Sequence, residues 1–522
     1  MGRELGRRAL TEATGTGAAP SADLAALARG GRINFFGFLL RLMARLPFLF
    51  IAGRMYGPEQ LGRFAYAVLI VEFAAQLATL GLKRGLAQQL ARTDKPHVCV
   101  VADALLVAAI GSAVAMIILA IFPQVMFPNS ETTGLEWMLP VTVFALAWSD
   151  ISLAALAYRH DVASTVRARA IVEPWTISIA AFGWYFISDR DGLIIAYALS
   201  MIGALVASVI PLIRSYGMPH GWSPDPGTLW TLARRHLPVA AADAVEWGSR
   251  RVDIAVLGLF FSPTIVGIYY VAQQVASLPA KLKTSFDPIL GPVISRNLAD
   301  GDKAAVARQV RQVGFWVIAA QGGVALALGI PGEAVMGLVG AGFVAGTAAL
   351  GFLLAAEVVA ATAAVSEAAL IYCARHRNMM ISLAMIALEV AMAAGLIVLM
   401  RDMGWPPMWQ ATAPALALML ALGLAAIVKS RLLHRILGHP VSGWRWPLIW
   451  AAAAAMVVGQ IIIRLPEWAE IVIGIPAILG AFGAVLWVKG FGPQDRELFR
   501  MSKDDIEELE LPDPTTGGDA PR

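Results

Sequence analysis

Charge is scarce in this chain. Asp, Glu, Lys and Arg make up 15% of its 522 residues, where a soluble domain carries about 25%. Apolar residues reach 58% and the mean hydropathy is +0.66 over the whole length. A soluble enzyme, a disordered chain and a nucleic-acid-binding module are excluded by that balance, because none has use for so much apolar surface. Cysteine is nearly absent. Cys99 and Cys373 both fall in apolar runs, so each reads as a small buried hydrophobe and no disulfide is expected. Only seven histidines occur, none in the middle of an apolar run, which leaves a buried metal site or a histidine proton relay without support. The apolar runs are continuous instead of alternating, so a β-barrel is excluded as well.

What remains is an all-α polytopic membrane protein. A spanning helix needs about 20 apolar residues, and runs of that kind predict about 14 transmembrane helices, the first over 33–53 and the seventh over 236–261. The expected organisation is a polar tail at 1–32, a six-helix lobe at 33–215, a linker at 216–235, a second six-helix lobe at 236–434, two further helices at 446–489 and an acidic tail at 490–522. The first 31 residues lack the apolar stretch and small-residue cleavage site of a signal peptide and are read as a retained cytoplasmic tail. With the amino terminus in the cytoplasm, 32 of the 41 basic residues fall on that side; only Arg54, Arg63, Arg190, Arg401 and Arg464 fall opposite, and four lie inside spans. This asymmetry places both termini in the cytoplasm. Trp137, Trp405, Trp409, Trp444, Trp446 and Trp468 sit near span ends as interface anchors. The run GAGFVAG at 340–346 follows no strand, so it is read as a glycine-rich re-entry and not as a phosphate loop.

The sequence repeats itself at an offset of 205 residues. Gly53 falls on Gly258, Pro58 on Pro263, Gly62 on Gly267 and Ala67 on Ala272, with Arg45 on Arg250 and Leu77 on Leu282. The shared pattern G-x4-P-x3-G brackets a hairpin in both copies. Six spans separate the copies, so they share one membrane orientation. The expected architecture is two repeated six-helix bundles around a central cavity, a design in which the halves rock against each other.

Ionisable residues inside spans are costly and default to functional candidates. Arg41 and Arg45, four residues apart, share a face of the first span. In the seventh, Asp243, Glu246, Arg250 and Asp253 form one stripe, with Arg251 off it by about 100°. If these repeat-related helices face each other, four arginines meet three carboxylates. Glu72, with Gln76 one turn later, marks an interior face of the second span. Asp103, Asp150, Glu173, Glu357, Glu367 and Glu389 are further intramembrane acids, read first as hydrogen-bonded structural groups.

The stretch RLPFLFIAGRMYGPEQLGRFAYAVLIVEFAAQLATLGLKRGLAQQLAR resembles the opening of polysaccharide flippases of the multidrug/oligosaccharidyl-lipid/polysaccharide transporter superfamily. The likeness lies in the hairpin GPEQLGRFAYA, the TLGL ending of the second span and the basic amphipathic segment after it. A second point is the span junction LIYCARHRNMMI. The resemblance implies a bacterial inner-membrane protein that flips an undecaprenyl-diphosphate-linked oligosaccharide by alternating access, for O-antigen or exopolysaccharide synthesis. Arg41, Arg45, Arg250 and Arg251 are then the expected substrate contacts, because a guanidinium fork suits a diphosphate. Asp243, Glu246, Asp253 and Glu72 are the expected cavity or coupling acids, holding the arginines when the site is empty. Expected partners are the polyprenyl-diphosphate-linked glycan and the bilayer, with glycan polymerase and chain-length proteins beside them. A monomer without cofactor, metal, nucleic acid or enzymatic activity is expected. Two alternatives stay open: a multidrug exporter of the same superfamily, and a membrane glycan polymerase or ligase, which the short far-side loops disfavour.

Overall fold

The computed structural model describes residues 46–492 and Asp495, apart from 133, 249 and 284–286; the side chains of 281–290 and 292 are not described. Arg41 and Arg45 lie outside the described residues, as do most of both tails. The described chain is helical throughout. Its elements are α1 (46–56), α2 (Gly57–Ala78), α3 (Leu82–Ala91), α4 (His97–Ile121), α5 (Met138–Tyr158), α6 (162–185) and α7 (Gly192–Tyr216). There follow α8 (Pro226–Gly248), α9 (Val252–Phe260), α10 (Pro263–Lys283), α11 (Asp287–Ala299), α12 (Lys303–Gly329) and α13 (Gly332–Val339). The last are α14 (Thr347–Cys373), α15 (Arg375–Asp402), α16 (Ala413–Leu437), α17 (Pro447–Ile462) and α18 (Glu467–Gly490).

Nine helical stretches among the described residues are long and apolar enough to cross a membrane. That is fewer than 14. One stretch counted as a single unit runs from Leu46 to Ala91 and joins α1, α2 and α3, α17 is a shorter apolar helix, and α6 and α10 carry too many polar groups to qualify. Helical structure is what an apolar chain must adopt where no water is at hand to satisfy its backbone. Local signals set the boundaries. Gly57, at φ +77°, ends α1, and Pro58 then opens α2 where its missing N–H is not needed. In α3, Leu82, Leu86 and Leu90 are fully buried at four-residue spacing while Lys83 and Arg84 face outward.

One expectation fails here. The seventh span is not a continuous helix over 236–261. It is α8, which ends at Gly248, a turn at 250–251, and then α9. Gly248 ends α8, Arg251 sits at φ −142° and ψ 0°, and Ala255 N–H bonds the Arg251 carbonyl to start α9. Gly248, a weak helix former, stands at the last position of α8. The two pieces share α2 and α15 and otherwise differ in their partners: α8 adds α3 and α4, and α9 adds α10 and α16.

The repeat is visible in the packing. In the first half α2 packs on α4 and α5, α4 on α5, α5 on α7, and α6 on α7. In the second half α10 packs on α12 and α14, α12 on α14, α14 on α16, and α15 on α16, which is the same scheme shifted by one repeat. Helices α17 and α18 pair with each other and lean on α12.

The halves meet most extensively along α2 and α10. There the repeated motif packs against itself: a Cβ on Gly62 would lie 1.8 Å from the Pro263 carbonyl oxygen, and one on Gly267 would lie 1.9 Å from the Pro58 carbonyl oxygen. A pseudo-twofold axis therefore passes between residues that the sequence had aligned. Gly62→Val or Gly267→Val is expected to force this contact open, at about 1–3 kcal/mol for overpacking. Val266, 2% exposed beside it, reports the change: a Val266→Cys thiol should label faster in the glycine variants. Unchanged labelling would show that the halves tolerate the bulk without parting.

Candidate functional site: a cavity between the halves

A cavity of about 870 Å³ lies between the two bundles, lined by α1, α2, α6 and α7 on one side and by α9, α10, α12, α14, α15 and α16 on the other. It reaches Arg84 on α3, Glu246 on α8 and Arg375 at the start of α15.

The opposite end is closed. Besides the Gly62–Gly267 contact, the segment around Asn129 reaches across from the first half. Asn129 donates to the carbonyls of Gly258 and Phe261 at 2.8 and 3.0 Å, occupying acceptors at the end of α9. The segment is held to its own half by Glu136, which takes Arg63 at 2.5 Å and Arg190 at 3.1 Å; both guanidiniums also donate to the Glu131 carbonyl at 3.0 Å. Burial pushes the Glu136 carboxyl up, but backbone N–H bonds and Arg63 outweigh it, so it lies below its ordinary range. Arg54 adds a bond to the Leu338 carbonyl at 3.0 Å. Three of the five basic residues read as lying opposite the cytoplasm thus serve this closure.

The expected charged stripe does not form, because the break between α8 and α9 turns its members in different directions. Asp243 and Glu246 stay on α8 and face Arg84 of α3, at 3.0 and 2.9 Å. Asp243 is buried, and the approach of Arg84 to it lies outside hydrogen-bond geometry. Asp253 does not line the cavity. It is 1% exposed on α9, accepting from the Tyr269 hydroxyl at 2.8 Å and the Gln273 amide at 3.0 Å.

Arg251, expected to lie off the stripe, is the arginine that pairs with Glu72. Its guanidinium also stands 5.1 Å from the Trp247 ring centroid. The pair joins α2 of the first half to the start of α9 in the second. Arg250 lines the cavity beside it, with no hydrogen-bond or ion-pair partner for its side chain among the described residues.

The expected count of four arginines against three carboxylates includes Arg41 and Arg45, which lie outside the described residues. Arg84, Arg250, Arg251 and Arg375 line the cavity against Glu72, Glu173, Glu246, Glu357 and Glu367. Pairing offsets the acids: Glu173 meets Arg169 at 2.8 Å, Glu367 meets Lys429 at 3.0 Å, and Glu72 and Glu246 meet Arg251 and Arg84. Behind Glu173, Asp150 is shared by Arg169 and Lys83. Arg250 and Arg375 are left as the lining cations without an ion pair among the described residues. The partnership of Arg84 escaped the sequence reading, although the basic amphipathic segment that holds it was noticed. Gln321 and Asn378 escaped it too: both line the cavity, both are buried, and each has a carboxamide oxygen with no partner.

Two bundles of one topology, closed at one end over a shared cavity and followed by two extra helices, define a membrane transporter fold. The structure is similar to an inward-facing multidrug resistance MATE family transporter of the MOP superfamily, at 15% identity and a TM-score of 0.60 over 76% of this chain and 94% of that one. It is similar to the lipid II flippase MurJ in an inward closed conformation, at 12% identity and a TM-score of 0.63 over 90% of this chain and 99% of that one. A MOP superfamily transporter from Pyrococcus furiosus matches at 14% identity, with a TM-score of 0.51 over 80% of this chain and 95% of that one. At such identities the likeness is one of fold. No curated protein matches in sequence. Residues 51–320 match the family described as polysaccharide biosynthesis protein, and the chain belongs to that family.

Proposed function

We propose that this protein is a flippase that carries polyprenyl-diphosphate-linked oligosaccharide across the bacterial inner membrane by alternating access, without enzymatic chemistry, supplying surface polysaccharide synthesis. The observation that carries the reading is the break in the seventh helix. It puts Arg250 and Arg251 at the amino-terminal end of α9, on the wall of the cavity between the halves. A helix start presents partial positive charge and unbonded N–H groups, and broken helices in transporters aim such ends at anionic substrate groups. Two guanidiniums beside one suit a diphosphate, which each can grip through paired hydrogen bonds. Membership of a polysaccharide biosynthesis family supports a glycan cargo.

With both termini in the cytoplasm, the closed end faces away from it and the cavity opens toward the compartment where lipid-linked saccharides are built. In the empty state Glu72 neutralises Arg251. The arriving diphosphate competes for that arginine and so loosens a link between the halves.

The test is export in a strain from which the gene has been deleted. Deletion should trap lipid-linked saccharide inside, the wild-type chain should restore export, and the Arg250→Ala/Arg251→Ala variant at equal membrane level should not. Normal export by that variant would overturn the reading. A second reading, ion-coupled drug export, draws on the five glutamates that line the cavity, since acids favour cationic drugs. Deletion that leaves saccharide export intact while changing drug susceptibility would transfer the assignment to it.

A further inference from the structure

The cavity is lined unequally. Of its lining residues all four carboxamides, Gln273, Gln274, Gln321 and Asn378, belong to the second half, and none to the first. The first half supplies apolar groups such as Phe64, Leu69 and Ile177 alongside its ion pairs. Two of the carboxamides are in an uncommon state. Gln321 on α12 is 2% exposed and Asn378 on α15 is 8% exposed, yet an oxygen of each has no hydrogen-bond partner. Burying an amide oxygen unbonded is unfavourable; neither oxygen has accessible surface in this conformation, and a turn of the side chain toward the cavity that its residue lines brings the oxygen within reach of a donor there. Between these two helices runs α14, which turns Ala360, Ala361, Ala364 and Ala368 toward the same space. Methyl side chains leave room there for a bulky polar ligand.

Hydroxyl groups of a saccharide match that surface. Each is both donor and acceptor, as a carboxamide is, and an alanine floor admits a ring without crowding it. Resting on the flippase reading above, we propose that the second-half wall is the saccharide subsite, with Gln321 and Asn378 as the residues that read the glycan while Arg250 and Arg251 hold the diphosphate. The cargo is then oriented across the cavity, its anionic link at the break in the seventh helix and its sugars against α12, α14 and α15.

Binding to the full-length protein in lipid nanodiscs tests this with two probes: undecaprenyl diphosphate without sugar, and the lipid-linked saccharide extracted from the deletion strain. Gln321→Leu and Asn378→Leu are each expected to weaken the second probe on the order of tenfold, the value of one hydrogen bond, and to leave the first unchanged. Arg250→Ala should weaken both probes alike. The leucine variants should also unfold at the same temperature as wild type or higher, because an unbonded buried amide gives way to an apolar group of similar size. A lowered unfolding temperature would mean that the amides are structural and would overturn the proposal. So would leucine variants that weaken both probes, or neither, while wild type prefers the saccharide-bearing one. Wild-type protein that binds neither probe would instead overturn the flippase reading itself.

Discussion

Replacing Arg251 by alanine is expected to reduce transport on the order of 100-fold, while replacing its partner Glu72 by glutamine leaves transport nearly intact and tightens binding of an anionic ligand. The asymmetry follows from where the pair stands. Both side chains line the cavity and both are partly exposed, 41% and 29%. An ion pair that solvent reaches is worth at most about 1 kcal/mol, so its loss should not unfold the protein. On the flippase reading proposed above, Arg251 has a second task that Glu72 lacks. A guanidinium gripping a diphosphate makes charge-assisted hydrogen bonds worth about 1.5–3 kcal/mol each, and losing a two-bond fork gives the hundredfold figure. Arg251→Lys keeps the charge but not the fork, and should fall between the two. Glu72→Gln removes a competitor for the arginine, hence the tighter binding. A double-mutant cycle separates this from a purely structural pair. If Glu72→Gln and Arg251→Ala were equally harmful and the double variant no worse than either, the pair would be a strut between the halves with no ligand role.

Much of the fold was legible because a membrane restricts what a chain can do. Backbone groups in lipid must bond internally, so apolar runs could only be helices, and the sequence alignment at one offset already paired Gly62 with Gly267. Their contact explains why those positions repeat: each needs to have no side chain for the same neighbour to pass. The break between α8 and α9 was harder to see. Hydropathy averages over a window of about 19 residues, and three residues hardly move it. The local signal was present in Gly248-Ser249-Arg250-Arg251, but reading the segment as one helix hid it. That single error displaced the site. Helical spacing placed Asp243, Glu246, Arg250 and Asp253 on one stripe only if the helix continued, and with the helix broken they face Arg84, the cavity and Tyr269 instead. The unbonded amides of Gln321 and Asn378 could not have been found this way, since burial and the lack of a partner are properties of the packed bundle.

The other large effect is expected at Asp253 and Glu389, with opposite signs at the two acids. Asp253 is 1% exposed and accepts from the Tyr269 hydroxyl and the Gln273 amide. Asp253→Ala strands the buried Tyr269 hydroxyl, while the Gln273 amide lines the cavity and keeps the Arg250 carbonyl as an acceptor, so a loss of about 1–3 kcal/mol in stability is expected, read as a lowered unfolding temperature in detergent. Asp253→Asn, which keeps a carbonyl oxygen for one donor, should recover about half of it. Glu389 on α15 is buried as deeply, at 4% exposure, but one of its carboxyl oxygens has no partner, and no lysine or arginine pairs with it among the described residues. Here the side chain is a burden on the folded state. Glu389→Gln is therefore expected to leave the unfolding temperature unchanged or to raise it. Transport decides what the burden is for. A variant that is more stable yet slower identifies Glu389 as an acid whose charge changes during the cycle; one that is more stable and equally fast would show that the carboxyl group has no part in transport.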